Sequence, residues 1–424
     1  MLWRVFYNSI VVPLLWAGFQ LIGLFDAKTA RGIRGRRGLL TRLEREVSAL
    51  DPGRKRIWFH SSSMGEFEQA KPIIAECKKR YPEVDIIISF FSPSGFEHSR
   101  IYKPAAINTY LPFDSRRNAE KFVKSTMPAA AVFMRYDVWP NHLWALQGAG
   151  IPTIIASATL RENTLRNLPV VKQFHRTLYD SLDYILTVSE DDKKAFESFR
   201  LEHPVVGVIG DTRYDQVMQR SAESRTRQVL DPRILAGKKV LVAGSSWKED
   251  EERLLPACQS LFRTHPELLV ILVPHEPTIE NLERVESNLN GAISSVRFSA
   301  LNEYNNEQLI LIDSVGILMP LYQYAHVAYV GGSFHQGIHN VLEPAAYGTP
   351  ILCGPRHENS QEAIRLVKEG AAFVGRDSDE LHGHLRSLLD DEARRKDAGE
   401  KASAFVCRNV GATQRFFSSL EKVL

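Results

Sequence analysis

The stretch Gly331–Pro350, GGSFHQGIHNVLEPAAYGTP, sets the reading of the whole chain. The run before it, HVAYV, reads as a buried strand centred on Ala328–Val330, ending in a glycine turn, Gly331 and Gly332, with Ser333 behind it. Glycines at a strand end let backbone NH groups come close to a phosphate. A few residues on, Asn340 is placed to cap a helix that opens with Val341 and Leu342 and holds Glu343 in its first turn, followed by Pro344. A carboxylate there is positioned to accept both hydroxyls of a ribose, while the free NH groups of the helix end face a phosphate. Taken singly, the glycines are equally those of an ordinary turn. Joined to HNVLEPAAYGTP, they point to one kind of site.

Outward from this segment, short β-rich runs alternate with amphipathic stretches. KKVLVAGSS, ELLVILVPHEP, Gln308–Ile312, HVAYVGGS and TPILCGP form one series. RIWFHSSS, VDIIISFFSPSG, AAAVFMRYD, IPTIIASATL and YILTVSE form an earlier one, with a helical pattern from Glu66 to Arg80. This is a βαβ rhythm, and 424 residues suit two such domains better than one core. The polar stretch around Pro232 reads as an inter-domain connection. The expected organisation is a membrane anchor over 1–27, a Rossmann-like domain over 28–215, a linker over 216–238 and a second Rossmann-like domain over 239–424. The expected fold is α/β, with two doubly wound sheets facing a cleft, the GT-B arrangement, and ligands at the carboxyl ends of strands.

Three loops of the second series converge on the glycine turn. Ser245 and Ser246 follow VLVAG, Pro274 and His275 follow VILV, and Gly316, Ile317 and Leu318 open a helix and are placed to line a base pocket. In the first series, HSSSMGE puts Glu66 at the carboxyl end of a strand. There it either acts as a general base on a hydroxyl or completes a capping box with Ser63.

At the amino terminus, Phe6–Phe25, FYNSIVVPLLWAGFQLIGLF, would make a helix of about 30 Å, near the thickness of a bilayer core. Asn8, Ser9, Pro13 and Gln20 interrupt it, so it spans the membrane or lies partly in the interface. Arg31, Arg34, Arg36 and Arg37 crowd the segment after it, which places the rest of the chain on the cytoplasmic side and offers contacts to anionic lipid head groups. The overall formal charge is only +3, so nucleic acid is not an expected partner. Cys77, Cys258, Cys353 and Cys407 stand far apart, without metal-ligand spacing. No Asp-x-Asp pair stands at a strand end, so no metal is expected.

Five stretches together carry a resemblance. HSSSMGE resembles the HxxSxGE motif of 3-deoxy-D-manno-octulosonic acid (Kdo) transferases, and VFMRYDVWPN and GDTRYDQV resemble that family's acidic WPN and GNxKFD motifs. DSVGILMPLY and GGSFHQGIHNVLEPAAYGTP resemble its carboxyl-terminal signature. The resemblance implies transfer of Kdo from CMP-Kdo to the lipid A precursor (lipid IVA) at the inner membrane, without a cofactor. It implies Glu66 as base, Asp137 as supporting carboxylate and Arg213 on the departing phosphate. The chain departs from the family at Arg135, where an acid is usual, at Arg213, where lysine is usual, and at His275, where arginine is usual. Rival readings are a UDP-N-acetylglucosamine-dependent transferase, a nucleotide-sugar epimerase, which shares the fold but needs no anchor, and a silent sugar-binding module, which needs no Glu66.

Overall fold

The computed structural model describes residues 2–99, 102–160, 166, 168–289 and 291–422. Continuous apolar runs such as IIIS and LLVILV are too hydrophobic for a sheet with one wet face, and they build parallel strands covered by helices on both sides. The first sheet contains β1 (Arg56–Ser61), β2 (Asp85–Phe90), β3 (Ile107–Tyr110), β4 (Ala130–Met134), β5 (Thr153–Ala158), β6 (Tyr184–Thr187) and β7 (Val205–Val208). Its order is β3-β2-β1-β4-β5-β6-β7, all parallel. The second contains β8 (Lys239–Ser246), β9 (Leu268–Pro274), β10 (Ser295–Arg297), β11 (Leu309–Leu311), β12 (Val327–Val330), β13 (Ile351–Cys353) and β14 (Ala372–Val374). Its order is β10-β11-β9-β8-β12-β13-β14, again parallel.

Both orders reverse direction beside their first strand, between β1 and β4 and between β8 and β12. Such a switch point opens a crevice at the carboxyl ends of the strands, where doubly wound sheets take ligands. The expectation of two Rossmann-like sheets holds.

The chain divides into two compact units, residues 1–216 with 410–424, and residues 217–409. Two expectations change. The stretch 216–238 is not one polar linker, because the helix Thr212–Ser224 runs through the division point. The carboxyl terminus belongs to the first unit, not the second. Phe416, Phe417 and Leu420 of the helix Ala412–Leu420 are buried against Ile57, Phe59 and Ile86. Asp215 fixes the start of that helix by accepting the Gly411 and Thr413 NH groups at 2.5 and 2.7 Å.

The amino-terminal apolar segment is helical over Leu2–Ile22, longer at its start than expected, and is long and apolar enough to cross a membrane. The basic helix behind it, Ala27–Gly35, is started by the Asp26 carboxylate, which accepts the Thr29 NH. Arg31, Arg34 and Arg37 are exposed. Arg36 is not. Its guanidinium donates to the carbonyls of Gly32, Phe91 and Leu111 at 3.0, 2.7 and 2.9 Å and lies 4.6 Å from the Phe91 ring centre. Burial lowers its pKa to about 10. It ties the basic segment to the ends of β2 and β3, so the lipid-contact role expected for it is withdrawn.

Candidate active site

In the first unit the switch point holds the two carboxylates of the sequence motifs. After β1, Ser62 and Ser63 lead into the helix Met64–Arg80, which puts Glu66 in its first turn. Glu66 is 5 % exposed. Its Oε2 accepts the NH groups of Ser62 at 2.5 Å and Ser63 at 3.3 Å, so the capping box is real. After β4, Arg135 adopts a left-handed backbone (φ 65°) that turns the chain abruptly and brings Asp137 toward Glu66. Burial, and next the Asp137 charge, push the Glu66 pKa up to about 7, against the opposing pull of the Ser62 and Ser63 NH groups and of Arg135. The capping reading and the base reading are therefore compatible. One carboxylate caps the helix and still titrates near neutrality.

The supporting side chains are buried and mostly structural. His60 bonds Ser89 through Nδ1 and receives Trp139 Nε1–H at 3.2 Å, and burial lowers its pKa to about 3, so it is neutral. Trp139 stacks on Phe91 with ring centres 4.5 Å apart. Arg213 lies on the helix Thr212–Ser224 and pairs with Asp211, Nε to Oδ2 at 2.8 Å. Asp211 also receives the Gln69 amide at 3.1 Å, one turn beyond Glu66 on the same helix. Asp211 and Gln69 escaped the sequence reading. Asp211 stood inside the GDTRYD motif, but nothing marked Gln69.

In the second unit the ends of β8, β9 and β12 bring the expected loops together, with a different division of labour. Gly331 donates to the Gly244 carbonyl at 2.9 Å and Gly332 to Asp250 at 2.8 Å. These NH groups are engaged within the protein, which corrects the expectation that they face a phosphate. The glycines serve close packing instead. A Cβ on Gly331 would stand 2.2 Å from the Ser245 carbonyl, and one on Gly332 would stand 2.4 Å from the Gly337 carbonyl. Ser333 is wholly buried and its Oγ accepts the Gly354 NH at 2.6 Å, so it braces β13 rather than meeting a ligand. Ser246 likewise gives its hydroxyl to Glu251 at 2.9 Å.

Ser245 remains at the surface of the site, in a bulge of β8 with φ 54°. Pro274 ends β9 and is buried, whereas His275 is exposed beside it. Gly316 (φ 79°) and Ile317 open the short helix Leu318–Leu321. A Cβ on Gly244 would lie 2.9 Å from Leu318 Cδ1, which puts Leu318 under the end of β8. The helix expected at Asn340 begins later, at Leu342, and runs only to Ala346. Asn340 caps it by accepting the Leu342 NH at 3.1 Å, and Val341 and Leu342 are buried. Glu343 stands in its first turn, 3.8 Å from Arg220.

Two features were missed. Asp250, wholly buried, accepts the Tyr329 hydroxyl and the NH groups of Gly332 and Trp247, and so organises both β8 and β12 exits. Trp247, His275 and His339 form a stack, with the two imidazoles 4.4 Å apart and Trp247 4.7 Å from His275. Trp247 Nε1 donates to His339 Nε2 at 2.8 Å, and burial lowers the His339 pKa, so His339 is neutral and carries its proton on Nδ1. The spacing of histidines around Gly337 was the only hint in the sequence.

Two doubly wound parallel sheets, each with polar groups at its switch point, define the class, a GT-B-like α/β fold. A UDP-GlcNAc 2-epimerase from Neisseria meningitidis superposes with a TM-score of 0.59 at 16 % identity, covering 87 % of this chain and 100 % of that one, a likeness of fold alone. Sequence gives a more specific likeness. Residues 31–216 match the model for 3-deoxy-D-manno-octulosonic-acid transferase (kdotransferase). The 3-deoxy-D-manno-octulosonic acid transferase of Haemophilus influenzae is 27 % identical over 100 % of this chain and 99 % of its own length. That of Chlamydophila psittaci is 28 % identical over 87 % and 85 %. These matches support the 3-deoxy-D-manno-octulosonic acid transferase family for this chain.

Proposed function

We propose that the protein transfers Kdo from CMP-Kdo to the lipid A precursor, with inversion, at the cytoplasmic face of the inner membrane. The observation that carries the mechanism is Glu66, a nearly buried carboxylate at a switch point whose pKa stands near 7. A base of that strength takes a proton from a hydroxyl at neutral pH far better than an ordinary carboxylate. In the proposed step Glu66 accepts the acceptor hydroxyl proton as its oxygen attacks the anomeric carbon. The bond to phosphate breaks on the opposite face, and CMP leaves with the electron pair. Asp137 keeps Glu66 basic by repulsion. Arg213 supplies positive charge for the departing phosphate, and its pairing with Asp211 fixes its direction.

The second unit holds CMP in this account. Ser245, His275 and the capped start of the helix Leu342–Ala346 take the phosphate, Glu343 takes the ribose, and Gly316–Leu318 take the base. The scheme calls for no metal or cofactor. Glu66→Gln tests it. Turnover should fall by roughly a hundredfold or more, the usual contribution of a positioned base, with CMP affinity unchanged. Full activity in this variant would remove Glu66 from the role.

A further inference from the structure

The helix Leu2–Ile22 is docked on the first unit along its length. Near its start, Arg4 donates to the Gln147 amide at 2.9 Å and Trp3 lies 5.6 Å from Phe174. Tyr7 is buried and donates to Asp114 at 2.8 Å, and the amides of Asn8 and Asn141 bond each other twice, at 2.9 and 3.0 Å. Val12 is part of the core of the unit, and toward the far end Phe19 packs 5.6 Å from Phe91. The inward positions advance by four residues, then five, then seven. The step of five is taken up by the π-helical turn Tyr7–Val11, which adds a residue to one turn and keeps the inward stripe continuous.

The opposite face is apolar and bare. Leu14 is 68 % exposed and Phe25, just beyond the helix, 85 %, with Leu2, Ile10 and Leu21 also exposed, and Trp16 is half-exposed at the edge of the docked face. Trp16 and Phe19 share a groove of about 430 Å³ with Arg37, so at this edge the exposed apolar surface meets an exposed cation. Apolar side chains bordered by arginines are complementary to acyl chains bordered by anionic head groups.

A helix of roughly 31 Å could span the hydrocarbon core, about 30 Å thick. To do so it would have to carry Asp114, Asn141 and Gln147 into hydrocarbon or break away from them. Breaking away would strip buried Asp114 of its Tyr7 partner. Lying flat requires neither. From this geometry, and resting on the membrane attachment proposed above, we infer that the helix is monotopic. It stays docked, lies in the plane of an anionic bilayer surface with its bare face in the acyl region, and leaves the amino terminus on the same side as the rest of the chain.

The native thiols give a built-in reference for the test. Cys407 is exposed, while Cys77, Cys258 and Cys353 are buried thiols with pKa values raised to about 12 by burial, and so unreactive in the folded protein. The full chain, extended before its first residue by a short Gly-Ser tail bearing one cysteine, is expressed in cells, and sealed inside-out inner-membrane vesicles are treated with a membrane-impermeant maleimide. The expected result is equal labelling of the tail cysteine and Cys407 without detergent. Labelling of Cys407 alone, with the tail reacting only after detergent, would show a spanning helix and overturn the inference while leaving attachment intact. Recovery of the chain in the soluble fraction, alone or as a dimer covering the apolar face, would overturn attachment itself.

Discussion

Glu66→Gln should stabilise the protein far more at pH 8 than at pH 5. Glutamine approximates the protonated carboxyl, and the folded site prefers that form. Raising the pKa from its ordinary 4.5 to about 7 means that ionisation costs the fold about 3 kcal/mol, at about 1.36 kcal/mol per pH unit. The sign follows from the direction of the shift. The favourable contribution of the protonated group is complete below pH 4.5 and is lost as pH rises to 7. The advantage of the variant over the parent should therefore vanish below pH 4.5, be small at pH 5, grow across that window and level off above it, at about 3 kcal/mol at most. Urea-induced unfolding of both proteins at pH 5, 6, 7 and 8 measures it. Asp137→Asn removes the second cause of the shift and should shrink the pH-dependent difference. A difference that stays constant within about 0.5 kcal/mol from pH 5 to 8 would refute the burial argument, and with it the physical basis for a base at position 66.

Other outcomes follow from the same geometry. If Glu66 must be ionised for transfer, kcat/KM should rise about tenfold between pH 6 and pH 8 in a steady-state assay, and Asp137→Asn should move that rise to lower pH. Gly332→Ala places a methyl group at φ 89° and 2.4 Å from the Gly337 carbonyl, so thermal unfolding should show a loss of about 2 kcal/mol or more. Asp250→Ala leaves the Tyr329 hydroxyl and the Trp247 and Gly332 NH groups without their acceptor. A loss of about 3 kcal/mol or more is expected in urea titration, together with weakened CMP binding by calorimetry.

The interior of both sheets was legible in the sequence because buried parallel strands are written as uninterrupted apolar runs. The four strands not anticipated, β3, β7, β10 and β14, are the four sheet edges. They have three or four residues each, and all but β3 are mostly half-exposed, so they carry little of the pattern that marks the others. The return of residues 410–424 to the first unit was invisible for another reason. An amphipathic helix does not state which sheet it covers, and the Asp215 bonds that fix this one are almost two hundred residues distant in sequence.

At the site, strand-end position located Glu66, a helix's first turn located Glu343, and the family resemblance pointed to Asp137. What sequence left open was which polar groups are already satisfied. Gly331, Gly332, Ser333 and Ser246 all stand where donors were expected, yet each spends its donor or acceptor on another group of the protein. Arg36 looked like part of a basic surface cluster but is aimed inward by three carbonyls. Most of those outcomes depend on contacts between different segments, such as Gly332 with Asp250 or Arg36 with Leu111, which local pattern does not encode.

Purified protein incubated with CMP-Kdo and a lipid A precursor, with the lipid then weighed by mass spectrometry, tests the proposed activity most directly. The account predicts a lipid heavier by whole Kdo residues in the parent and none in Glu66→Gln. An unmodified lipid with CMP-Kdo, together with transfer supported by a UDP-sugar, would contradict it.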